Sequence, residues 1–233
     1  MTREVSPVDS GPSRPARYPM PLVRVDLACL SVMDGVLKVL LAQRTEEPFR
    51  WCWGLPGGVL RIDLDRSLDA AARRLGQERM QLELGQLDQV LTLGGADRDP
   101  RAPWAVTVVY RCMVGGAFEP EAGKRVDALR WFNLDELDAS SAKGSIAFDH
   151  HALIQRSVDD LRADVADMRF SGTWFGKPFT VPELQSFCEA VLGESLDKVT
   201  FRRRLETNEV LRPLPGQLRT GPYRPAQLYA VND

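Results

Sequence analysis

Apolar positions change their spacing several times along the chain, and each change predicts an element. Val23 to Met33 is a mostly apolar, β-prone run, Asp34-Gly35 is a hairpin turn signal, and Val36 to Gln43 reads as the returning strand. Trp51 to Gly58, WCWGLPGG, is a loop by its Gly and Pro content. From Ser67 the spacing becomes helical: Ser67 is a cap, and Leu68, Ala71, Ala72 and Leu75 form one apolar stripe. Gln89 to Leu93 and Trp104 to Val114 read as strands around a turn-rich loop, GGADRDPRAP, and Leu129 to Phe132 as a short strand running into a turn of helix near Asp135. Asp149 to Met168 is a helix whose apolar face is Leu153, Ile154, Val158, Leu161 and Val165. The composition shifts after Arg169, and Ser171-Gly172 reads as a boundary. Beyond it Thr180 and Glu183 have capping-box spacing, and Val181, Leu184, Phe187, Cys188, Val191 and Leu192 form a helical face that Gly193 stops. Leu196 to Glu206 is a second helix with Leu196, Phe201 and Leu205 inward, and a Gly/Pro-punctuated hairpin ending in QLYAV follows. Two short helices and a hairpin form a winged helix-turn-helix pattern.

The chain has 233 residues, 44% apolar and 27% charged, which excludes a mainly disordered or collagen-like protein. No stretch approaches the roughly 18 unbroken apolar residues of a membrane span. The first 20 residues are rich in Pro, Ser and Arg and lack the apolar core of a signal peptide, so they read as a flexible tail. Cys29, Cys52, Cys112 and Cys188 are scattered without CxxC spacing, as expected of reduced thiols in a cytoplasmic protein without zinc. Charge is uneven. Between Lys198 and Gln227 seven basic side chains face two acidic ones, a net of +5, which leaves −7 on the rest of a chain whose total is −2. Such a block is either a solvated helix face or a contact for a polyanion.

The WGLPGG loop leading into an Arg-containing helix resembles the Nudix box, G-x5-E-x7-R-E-U-x-E-E-x-G-U with U a bulky apolar residue. In Nudix hydrolases the box glutamates hold Mg²⁺ against a pyrophosphate, because hard cations require several carboxylate oxygens. This chain departs from the template. Leu64 stands at the first Glu position, and the spacing is one residue long to Arg73 and two to Arg74. With Arg73 as the box arginine, the register that keeps Leu75 on the apolar stripe, Arg74 replaces a Glu while Gln77 and Glu78 take the paired positions. With Arg74 as the box arginine, Leu75 replaces that Glu, and Glu78 and Arg79 form the pair. Only Glu78 survives of that pair, with Asp63 and Asp65 as partial compensation from the loop. No catalytic or metal-ligating residue is therefore assigned, and no cofactor is expected. The fold can still bind a nucleotide: Arg44, Arg61, Arg98 and Arg101 offer forks for phosphate oxygens, Gly57 and Gly58 form the loop, and Phe49, Trp51, Trp53 and Trp104 offer faces for an adenine. The competing assignment for each arginine is a surface ion pair, and for each tryptophan core packing. His150 and His151, the two histidines, fall in the first turn of the linker helix.

The second C-terminal helix, LDKVTFRRRLE, puts Phe201 and Leu205 on one side and Val199, Thr200 and Arg203 on the other, with Lys198 and Arg202 on a flank. Such a face suits the DNA major groove, and Arg219 and Arg224 would make the hairpin a basic wing. LPGG at 55–58, DRDPR at 97–101, RWF at 130–132, FDH at 148–150, FTVPELQ at 179–185, LDKVTFRRRL at 196–205 and RPAQLYAV at 224–231 resemble, in order and spacing, the Nudix-related transcriptional regulator (NrtR) family. The resemblance implies an α+β chain: an N-terminal Nudix-like α/β/α sandwich and a C-terminal winged helix-turn-helix. It divides the chain into a tail at 1–20, a Nudix-like ligand-binding domain at 21–147, a linker helix at 148–170 and a winged helix DNA-binding domain at 171–233. It also implies a homodimeric repressor of NAD biosynthesis or salvage genes that binds a palindromic double-stranded operator and senses ADP-ribose or a related NAD metabolite. Arg44, Trp53, Gly57, Gly58, Arg61, Arg98 and Arg101 are the expected ligand set. Thr180, Lys198, Thr200, Arg202, Arg203, Arg219 and Arg224 are the expected DNA set. The alternatives are a Nudix pyrophosphohydrolase, a regulator that hydrolyses slowly, and a tail that serves as a protein-interaction module.

Overall fold

The computed structural model describes residues 20–115, 119–138, 145–220 and 225–232. Its centre is strand β1, Leu22–Met33, buried along eight consecutive residues. A strand covered on both faces needs apolar side chains at successive positions, which is why this run lacks simple alternation. Strands β2 (Val36–Arg44), β3 (Trp53–Gly54), β4 (Gly57–Val59), β5 (Asp88–Gly95), β6 (Ala105–Met113) and β7 (Val126–Asn133) complete a seven-stranded mixed sheet. The main path runs β3-β2-β1-β6-β5, with β4 paired to β1 and β7 paired to β2. Asp34 and Gly35 both have positive φ (53° and 75°), so the β1–β2 turn is of the kind whose twist matches a hairpin. The register sets Leu30 opposite Val39, and β6 runs parallel to β1 with Val108 opposite Val25.

Side chains alternate along β1 between two cores. Val25, Leu27 and Cys29 meet helix α1 (Leu68–Met80) through Ala71, Ala72, Leu75 and Met80. Ala28 and Leu30 face helix α3 (His150–Ala166) through Leu153, Ile154, Val158, Leu161 and Val165. Helix α2 (Leu134–Asp138) is the turn expected near Asp135. Arg111 on β6, 2% exposed, ties α3 to the sheet through Asp160, Asp164 and Asp88. Ser67 caps α1 by accepting from the Ala70 N–H (3.0 Å).

The second cluster does not end with α3. It continues through Trp174, in a 3-10 turn at Gly172–Trp174, to Phe179, then to helices α4 (Val181–Leu192) and α5 (Lys198–Thr207). The Thr180–Glu183 capping box is present, and α4 stops at Gly193. The turn between the helices is laced by Gln185, which donates to Glu189 and to the Leu196 carbonyl (both 2.9 Å). Strands β8 (Leu211–Arg219) and β9 (Ala226–Val231) form the hairpin.

Three expectations shift. The WCWGLPGG stretch is not all loop, since Trp53–Gly54 pairs with β2 and Gly57–Val59 with β1; strands this short leave no periodicity. The helix read from Asp149 starts one residue later, and the helix read from Leu196 starts at Lys198, because Asp149 and Asp197 are their N-caps. The tail read at 1–20 lies, except for Met20, outside the described residues, as do Arg224 and the rest of 221–224.

Candidate functional site

A cleft of about 380 Å³ opens where the end of β2, the LPGG segment, β1 and α1 converge. Gly57 sits so close to β1 that a Cβ there would strike the backbone of Val25 and the carboxylate of Asp26. The loop therefore lies flat against the strand and leaves room above it. Arg44, Gly57, Gly58, Arg61 and Arg101 line this cleft together. Trp53 does not. It is a core residue, buried with its ring edge-on to Phe132 at 4.9 Å. Arg98 is also elsewhere, its guanidinium on Asp149 (2.8 Å) at the start of α3.

Arg24, Arg79, Lys124, Arg125 and His150 also line the cleft and are not in the expected ligand set, and Arg74 and Glu78 were expected only as box positions. Arg24 gives no signal in the sequence because it is a single charge inside an apolar strand, 6% exposed and paired to Asp26 (3.2 Å). Behind the cleft, Phe148 is the ring on which its arginines gather: the guanidinium carbons of Arg44, Arg24 and Arg101 lie 4.9, 5.7 and 5.8 Å from its centre, and Phe49 and His150 pack against it at 4.7 and 5.4 Å.

The cleft is strongly positive. Burial and then repulsion from Arg24 and Arg101 lower the pKa of Arg44. Arg101 grips Asp99 through both carboxylate oxygens (2.8 and 2.5 Å), and these bonds lower the Asp99 pKa to about 2. Burial opposes ionisation of Asp26, but Arg24, His150 and a 2.5 Å bond from Thr107 outweigh it, so its pKa is lowered too. On α1, Arg74 holds both oxygens of Asp65 (2.7 and 2.8 Å) and reaches Glu78 at 3.2 Å. Arginine forks in a concave site fit a phosphorylated ligand.

The cleft is joined to the C-terminal helices. His150 opens α3, and its Nδ1 accepts the Leu55 N–H (2.8 Å) from the LPGG loop. At the other end of α3, Arg204 of α5 donates to the Ala166 carbonyl, and Arg162 donates to the Val191 carbonyl at the end of α4 (3.1 Å).

On α5, Lys198, Thr200, Arg202 and Arg203 are all exposed, while Phe201 and Leu205 are buried. Val199, 75% exposed, stands among them and is not in the expected set. Thr180 does not join that face; it is buried in the capping box. Arg219 reaches back from the wing to Glu183 (3.3 Å) and the Pro178 carbonyl (3.0 Å).

A mixed sheet between two helices, with a glycine loop over a basic cleft and a winged helix after it, defines a Nudix-fold protein with a DNA-binding domain. Residues 22–155 match the NUDIX domain family, and residues 173–231 match the NrtR DNA-binding winged helix domain. The chain belongs to the NrtR family. It is 35% identical over 212 residues to the ADPR responsive transcriptional repressor NtrR of Acinetobacter baylyi, spanning 91% of this chain and 82% of that protein. The crystal structure of Shewanella oneidensis NrtR complexed with a 27mer DNA is 32% identical, with a TM-score of 0.74 over 90% of this chain and 93% of that one. The Nudix domain of S. oneidensis NrtR complexed with ADP ribose is 30% identical, with a TM-score of 0.58 over 64% of this chain and 94% of that one.

Proposed function

We propose that this protein is an ADP-ribose-responsive transcriptional repressor of NAD-metabolism genes that works as a homodimer on a palindromic operator. The observation that carries this is the connection of an arginine-lined cleft to an exposed basic helix through α3, clamped at Leu55–His150 and at Arg204–Ala166. Lys198, Thr200, Arg202 and Arg203 would meet phosphates and base edges, with Val199 able to meet a thymine methyl group. Arg212 and Arg219 would extend the contact along the wing. Such a regulator works in the cytoplasm, with the chromosome; among the described residues no helix is long and apolar enough to cross a membrane.

The cleft is a receptor rather than a catalytic centre. Divalent metal would need several free carboxylates, yet Glu78 is paired with Arg74, and Asp65 is buried in the fork of the same side chain. The donor set does not fit Mg²⁺. In the receptor reading, the diphosphate lies among Arg24, Arg44, Arg74 and Arg79 above Gly57 and Gly58. A ligand that binds one position of the loop better than another shifts His150 and hence α3.

Binding of the purified protein to DNA from its own operon and from NAD-pathway promoters tests this. Operator affinity in the nanomolar range is expected, with release by ADP-ribose and little AMP formed in the same samples. Rapid Mg²⁺-dependent AMP production without specific DNA binding would establish the pyrophosphohydrolase instead.

A further inference from the structure

We infer that Arg74 is a built-in counter-cation: its guanidinium, held between Asp65 and Glu78, takes the place of a divalent metal and gives this cleft metal-independent affinity for a nucleoside diphosphate. The inference rests on the receptor reading above and specifies how that site holds its ligand. In the box template the residue after the arginine is a glutamate, and one helical turn later comes another. Here those positions are Arg74 and Glu78 on the cleft side of α1. A Glu-to-Arg exchange changes the local charge by two units, the charge of the ion it displaces.

The geometry is that of a positioned cation rather than a solvated surface pair. Asp65 comes from the loop before α1, and its side chain is 2% exposed; Arg74 is 16% exposed. Two bonds to Asp65, one to Glu78 and one to the Val59 carbonyl (3.3 Å) fix the guanidinium plane and use four of its five N–H donors. The fifth remains for a ligand oxygen. Two carboxylates, Asp65 at Nε and Nη2 and Glu78 at Nη1, hold the group in place, as acidic ligands hold a metal ion. Unlike a metal, this cation is covalently part of the chain, so its local concentration does not depend on the solution. Arg24 and Arg79, both in the same cleft, supply the remaining positive charge a diphosphate needs.

The test is calorimetric titration of the full-length protein with ADP-ribose, in excess EDTA and again in millimolar Mg²⁺. Dissociation constants that agree within about threefold are expected. A dissociation constant more than about threefold larger in EDTA than in Mg²⁺ overturns the inference and leaves the receptor reading in place. No binding under either condition removes the receptor reading, and the inference with it. Arg74→Gln, checked for a cooperative thermal transition, is expected to bind about tenfold or more weakly in both solutions; unchanged affinity overturns the inference. Arg74→Glu is expected to bind poorly in EDTA and to recover when Mn²⁺ is added. Should that variant fail to fold, the wild-type and glutamine titrations decide.

Discussion

His150 lies fully buried with the Leu55 amide on its Nδ1, so its proton sits on Nε2, which faces Asp26 Oδ2 at 4.0 Å. Burial, only partly offset by Asp26, lowers its pKa to about 4 from a usual value near 6.5. Protonation would take the lone pair that Leu55 needs. Because the folded pKa lies below the unfolded one, the stabilisation is complete above about pH 6.5 and is lost as the pH falls from there towards 4. Denaturant unfolding at a series of pH values should show stability declining in this window, ahead of the range where Asp26 and Asp99 titrate. His150→Gln should be less stable at pH 7 by about 1–3 kcal/mol and flat between pH 6.5 and 5. A wild-type profile equally flat there would mean that the imidazole is not held neutral. The sequence places this histidine in the first turn of a helix but does not show what it faces, since its partner is 95 residues away. Trp53 illustrates the opposite difficulty: an aromatic beside a glycine loop is equally consistent with a stacking face and with a core, and Phe132 is what it meets.

Among the elements, the helices are readable because caps and a 3.6-residue period mark them independently of tertiary contacts. The basic face of α5 follows directly from that period. Arg202→Ala with Arg203→Ala is expected to weaken operator binding by about 2–4 kcal/mol, and the salt slope should fall by about 1 for each phosphate no longer neutralised. Full affinity in the double variant would place the DNA interface off this helix. The short strands around Trp53 and Gly57 are not readable, because two or three residues carry no period and their pairing comes from β1 and β2. Nor are the clamps on α3, which use the Leu55 amide and the Ala166 and Val191 carbonyls, backbone groups that any residue supplies. Arg162→Met with Arg204→Met keeps the apolar stems and removes both donors. Ligand affinity of the free protein should hold, while release of DNA should require about fivefold more ADP-ribose, a weakening of the coupling by about 1 kcal/mol. Fluorescence anisotropy of labelled operator, titrated with ADP-ribose, measures this.

Across the whole molecule, one apolar cluster runs from Leu30 and Val39 in the sheet through α3 to Leu184, Val191 and Leu205. Two domains that share a core should melt together, so calorimetry is expected to show a single transition. ADP-ribose at about 100 times its dissociation constant should stabilise it by about 2.7 kcal/mol. Two transitions, with only one moved by ligand, would mean that the shared core does not couple them. The order of domains is legible from motif order, whereas this continuity is not, because Trp174-Phe175 looks like any aromatic pair in a loop until it is packed against Phe187. The same helix has a consequence as a length. The 17 residues of α3 span about 25 Å at about 1.5 Å per residue. A tilt of about 6° about the His150 end therefore swings the Arg204 end by about 2.5 Å. If both protomers of a dimer move in opposite senses, their recognition helices separate by about 5 Å, more than the rise of one base pair, ~3.4 Å. Tilted in this way, α3 would act as a lever arm, converting a small adjustment at its His150 end into a register error on the double helix.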